Sequence, residues 1–86
     1  MKVSISICPT TLEFANGDFY DADKLLAAIR RHIEERYPKA KITCLQVGHR
    51  QGDEWSRVDG DDDAGEELMD TFWSENVTDS RLFVNP

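Results

Sequence analysis

The run from Asp59 to Asp70 concentrates the side chains of this chain that could do chemistry, since seven of its twelve residues are carboxylates. Carboxylates at that density can ligate a hard cation, share acid–base work, or capture something basic. Asp59, Asp61 and Asp63 fall at positions one, three and five of a calcium loop. The glycine such a loop needs is displaced by one place, to Gly65, Glu66 puts a charge at position eight, and Asp70 replaces the bidentate Glu at position twelve. The spacing therefore falls short of a specific calcium site and leaves only weak divalent association. Acid–base catalysis needs groups facing each other across a cleft, whereas these carboxylates share one stretch that should form a convex helix. His32 and His49 have no placed Ser or Cys partner, and there is no glycine-rich phosphate loop. The chain reads as a non-enzymatic protein with no cofactor, which leaves electrostatic capture.

The charge is strongly divided. Residues 1–52 hold eight Lys/Arg and six Asp/Glu, a formal +2, while residues 53–86 hold Arg57 and Arg81 against eleven acids, a formal −9, giving the net −7. Such a patch repels nucleic acid and attracts what normally binds it. The basic stretch Arg30-Arg31-His32 to Arg36 is interleaved with Glu34 and Glu35, which argues against direct nucleic-acid binding. The expected partner is instead a protein with a basic nucleic-acid-binding surface. At 86 residues the chain is one small domain with a thin core, expected as a monomer or weak dimer. No run approaches the ~18 apolar residues of a membrane span. The first residues alternate where a signal peptide would have a continuous apolar block, so the protein reads as soluble and cytoplasmic. Cys8 and Cys44 are too widely spaced for a metal knuckle and read as buried apolar side chains.

The elements that must position these groups follow from periodicity. Val3, Ile5 and Ile7 alternate with Ser4 and Ser6, a half-buried strand that Pro9 ends. Residues 9–20 read as a loop turning at Asn16-Gly17, with Phe14 and Phe19 pinned to the core. Asp21 or Asp23 can cap a helix of about 16 residues, on which Ala22, Leu26, Ile29, Ile33 and Tyr37 form one apolar stripe. Ile42 to Val47 reads as a second, central strand. Trp55 to Val58 reads as a third, joined to the second as a hairpin across the turn Gly48–Gly52. Asp59-Gly60 breaks that strand, and a second helix runs from about Asp61 to Glu75 with Leu68, Met69, Phe72 and Trp73 as its apolar face. The tail residues Leu82, Phe83 and Val84 should dock on the core. The fold class is α+β in two layers: β-α-β-β-α, a small three-stranded mixed sheet with two helices on one face.

This pattern resembles the DinI-like family of small RecA-modulating proteins. The resemblance runs through Lys2–Ile7, the segment Arg30-Arg31-His32-Ile33-Glu34-Glu35-Arg36-Tyr37-Pro38, the strand Lys41–Val47 and Val58-Asp59-Gly60. It closes on Glu66-Glu67-Leu68-Met69-Asp70-Thr71-Phe72-Trp73-Ser74-Glu75 and the tail Leu82-Phe83-Val84. Longer loops at 9–20 and 48–54, acids crowded at the start of the second helix, and Leu82-Phe83 in place of a second Trp depart from the family pattern. The resemblance implies modulation of RecA filaments, and through them the SOS response to DNA damage, by an acidic helix that mimics DNA phosphates. The partner-binding residues expected on that helix are Asp62, Asp63, Glu66, Glu67, Asp70, Trp73 and Glu75. The same chemistry would serve a phage- or plasmid-encoded nucleic-acid mimic that inhibits another DNA-binding protein, such as a defence effector.

Overall fold

The computed structural model describes residues 1–12, 20–50 and 52–76. The chain order is β1 (Lys2–Ile7), a 3-10 turn at Pro9–Leu12, α1 (Ala22–Arg36), β2 (Lys41–Val47), β3 (Trp55–Val58) and α2 (Asp62–Asn76). Together they form the expected α+β fold, a three-stranded mixed sheet with two helices. The sheet order is β2-β1-β3, with β1 parallel to β2 and antiparallel to β3. Two expectations are thereby corrected. The second strand lies at an edge, and β2 and β3 are not a hairpin because β1 runs between them. The reason lies in side-chain pattern: β1 buries Val3, Ile5, Ile7 and also Ser6, whereas no residue of β2 is fully buried.

A bulge in β2 reconciles its sequence with one apolar face. Ile42 is out of phase with Leu45 and Val47 for a strand of period two. The register shifts between Val3 and Ser4, so that Ile42 pairs with Val3, Leu45 with Ile5 and Val47 with Ile7. Thr43 is the extra residue, and its hydroxyl donates to the Val3 carbonyl at 3.1 Å. All three apolar residues of β2 then join the core, as a single inserted residue allows.

Val3, Ile5 and Ile7 cluster with Leu25, Ile29 and Ile33 of α1 and with Leu68, Met69 and Phe72 of α2. The stripe on α1 is rotated from the expected one. Leu25, Ile29, His32 and Ile33 are buried, Leu26 is half-buried, and Tyr37 is 38% exposed. Leu25, Ile29 and His32-Ile33 keep the spacings of three and four, so the periodicity supports either face and packing selects this one. Asp21 caps α1 by accepting from the Lys24 amide at 3.1 Å. Cys8 is buried as expected, but Cys44 is half-buried. On the opposite face of β1, the Ser6 hydroxyl donates to the Asp53 carbonyl at 2.6 Å and accepts from Gln46 Nε2 at 3.2 Å. The expected places of Phe14, Asn16-Gly17, Phe19 and the tail Leu82-Phe83-Val84 lie outside the described residues.

The seat of α2 is set by backbone contact. Asp59 (φ 53°) and Gly60 (φ 80°) both occupy the left-handed region, as a two-residue type I′ turn requires. Val58 and Asp61 close that turn, exchanging backbone hydrogen bonds at 2.9 and 3.1 Å. The helix that starts at once lies across β3, and a Cβ on Gly65 would stand 1.9 Å from the Ser56 carbonyl oxygen. Helix propensity alone would make Gly65→Ala stabilising by up to about 1 kcal/mol. The contact predicts instead a loss of about 1–3 kcal/mol from overpacking. Urea unfolding of the variant decides between them, and an unchanged or raised midpoint would sink the close-packing account.

Candidate functional site: the acidic helix and its flanks

Asp61 precedes α2 as its N-cap. Its Oδ1 accepts from the amides of Asp63 (2.9 Å) and Ala64 (3.3 Å), which satisfies two of the helix's free donors. Asp59 is similarly engaged, because its Oδ1 accepts from the Lys2 amide at 2.7 Å. Two carboxylates of the calcium-like pattern are thus committed to backbone amides. Among the described residues no group of three or more His, Cys, Asp or Glu converges as a metal site.

Within α2 stand Asp62, Asp63, Glu66, Glu67, Asp70 and Glu75 and no lysine or arginine. Leu68, Met69 and Phe72 face the core, so the phase of the helix turns the acids outward. At ~100° per residue, Asp63, Glu66, Glu67 and Asp70 lie within about 100° of one another around the axis. All four are exposed, and none has an ion-pair partner among the described residues. The structure therefore brings these four together on one exposed face.

The other three expected residues sit differently. Asp62 receives the Arg57 Nε at 2.7 Å, a pair that is half or more exposed on both sides and so contributes little stability. Trp73 is half-buried at the border of the acidic face, its ring 5.1 Å from Phe72 and 5.8 Å from Tyr20. Glu75 lies about 140° around the axis from Asp70 and turns toward α1, where Arg36 grips it. That pair answers an imbalance within α2, whose last turn carries no base although the dipole there favours positive charge. Glu75 is consequently a helix-to-helix contact and stands apart from the acidic face.

The same junction holds His32. Its ring meets Phe72 edge-on at 5.6 Å, and its Nδ1 accepts from Arg36 Nε at 3.3 Å with Glu75 Oε2 at 3.5 Å. His32 Nε2 is buried without a hydrogen-bond partner among the described residues. Burial first, then the neighbouring Arg36, push the imidazole pKa below 6.5, against the opposing pull of Glu75 and Glu35.

The helix is not purely convex, which corrects a further expectation. Asp62, Glu66 and Asp70 form one wall of a groove of about 540 Å³, with Met69 and Trp73 beside them and Glu54, Trp55 and Arg57 on the β3 side. Trp55 donates its indole N–H to Ser4 Oγ at 2.9 Å, and the Arg57 guanidinium lies 5.9 Å from the Trp55 ring centroid. The sequence reading missed Arg57 and Glu54 as neighbours of the acidic helix. The period of two puts Trp55 and Arg57 on one face of a strand, but only the tight turn brings that strand beneath α2.

Comparisons with protein-family models, with curated proteins and with solved structures give no match for this chain. No helix among the described residues is long and apolar enough to cross a membrane.

A depressed histidine pKa makes folding pH-dependent in one direction. The unfolded chain takes up the proton first, so the contribution of His32 is complete above about pH 6.5 and fades as pH falls through its lower folded value. Unfolding midpoints measured from pH 7.5 to 5 should fall more steeply for the natural chain than for His32→Gln. In an NMR titration, Glu75→Gln should move the His32 ring to a still lower pKa; a rise would contradict the geometry.

Proposed function

We propose that this protein works without catalysis, by docking the acidic face of α2 on the basic nucleic-acid-binding surface of a protein partner, and that a RecA filament is that partner. One observation carries the first half of the reading: Asp63, Glu66, Glu67 and Asp70 stand exposed together without a cation to balance them among the described residues. Asp62–Glu66, Asp63–Glu67 and Glu66–Asp70 are like-charge pairs at i,i+4, each costing a few tenths of a kcal/mol in a helix. A protein that only needed solubility could spread these charges. Grouped, they repeat negative charge along a rod about every 6 Å of axis, which suits lysines and arginines that otherwise hold phosphates. The assignment of RecA rests on the resemblance to the DinI-like family, and with it the link to the SOS response.

The test is binding to RecA assembled on fluorescent single-stranded DNA, titrated at 50 and 200 mM salt. Association should weaken with salt and change the lifetime of the filament. Replacing Asp63, Glu66, Glu67 and Asp70 by Asn or Gln should abolish it while the fold survives, as circular dichroism would check. Full-strength binding by that variant would reduce the acidic face to a solvated surface. No association at low salt would remove RecA and leave the reading of a phage- or plasmid-encoded mimic acting on another DNA-binding protein.

A further inference from the structure

The groove between α2 and β3 already contains one seated arginine. Arg57 lies over the Trp55 ring, 5.9 Å from its centroid, while its Nε pairs with Asp62 at 2.7 Å. A guanidinium between an aromatic face and a carboxylate is a favourable arrangement, because it combines cation–π attraction with a directional hydrogen bond. The same groove carries the ingredients for a second such seat. Trp73, half-buried, stands beside Glu66 and Asp70, both exposed, with Glu54 also at the groove. Arg57 balances one of the four carboxylates that line the groove, Glu54, Asp62, Glu66 and Asp70. Glu54, Glu66 and Asp70 have no ion-pair partner among the described residues.

We propose that this groove receives an arginine-bearing extended segment of the protein partner, with a guanidinium seated against Trp73 between Glu66 and Asp70. The proposal rests on the reading that the acidic helix docks on a basic partner, and it specifies which flank of that helix makes the selective contact. From Asp62 to Trp73 the groove follows about 16 Å of helix axis, room for about five residues of extended chain. The excess of carboxylates supplies the charge complementarity, and the indole supplies a preference for arginine over lysine. Asp63 and Glu67, on the far side of the acidic face, contribute only a general field.

The experiment titrates the full chain, labelled with ¹⁵N, with a blocked Gly-Arg-Gly-Arg-Gly peptide and its lysine counterpart, reading the indole N–H signals of Trp55 and Trp73. The Trp73 signal should move saturably, and the arginine peptide should bind more tightly than the lysine one. Glu66→Gln with Asp70→Asn should weaken binding by about fivefold or more, equivalent to about 1 kcal/mol. Asp63→Asn with Glu67→Gln, which removes the same charge through the general field alone, should weaken it by a clearly smaller factor. Equal losses in the two double variants, or no movement of Trp73, would overturn the groove. The two readings fail separately. A RecA filament that still binds the Glu66/Asp70 variant but loses the Asp63/Glu67 one overturns the groove and keeps the acidic helix. A peptide that binds in the groove of a protein ignored by RecA supports the groove and removes RecA.

Discussion

The missing side chain at Gly65 is the constraint on which the rest of this structure depends. With a Cβ placed 1.9 Å from the Ser56 carbonyl, any other residue would lift α2 away from β3. The Asp59-Gly60 turn leaves almost no slack, since Val58 and Asp61 bond each other across it. Seat and turn together fix the rotation of the helix about its axis. Leu68, Met69 and Phe72 then reach the core, and the carboxylates have only the solvent side left to them. A residue that looks unfavourable for a helix is thus what orients it.

Charge follows the same geometry. Arg57 engages Asp62 on the sheet side of α2, and Arg36 engages Glu75 on the side of α1. Both flanking acids are compensated by residues from other elements, while the four between them have no ion-pair partner among the described residues. Among the described residues, the division of charge along the chain becomes in three dimensions a helix balanced at its margins and unbalanced along its middle. His32 is buried beside the Arg36–Glu75 pair, so a histidine with a lowered pKa sits where the two helices meet.

Much of this was legible in the residues, and the failures have physical causes. The alternation Val3-Ile5-Ile7, the Asp21 cap and the Asp-Gly turn are local signals, and each element they mark is present. Sheet order is set by long-range pairing, which adjacency in sequence suggested wrongly: the turn between β2 and β3 spans β1. The stripe on α1 was ambiguous because Leu25 and Leu26 are adjacent and equally apolar, and only the core they meet chooses between them. Of the acidic residues, those on the free face could be grouped by spacing alone. The attachments of Asp62 and Glu75 depend on Arg57 and Arg36, distant partners for which spacing carries no signal. The groove went unseen for the same reason, since its two walls come from different elements.

The run of like charges on α2 also makes the stability of the helix and the reach of its field respond to ionic strength in opposite directions. Repulsion among neighbouring carboxylates is exposed and acts over distances that a Debye length of ~8 Å at physiological salt already screens in part. Raising the salt relieves that repulsion and favours the folded chain. It simultaneously weakens the attraction of the same face for a basic surface. Concentrated salt therefore favours a more stable but less sticky protein, and dilute salt the reverse. The face that costs the helix some of its own stability is the one from which an electrostatic partner would draw its affinity.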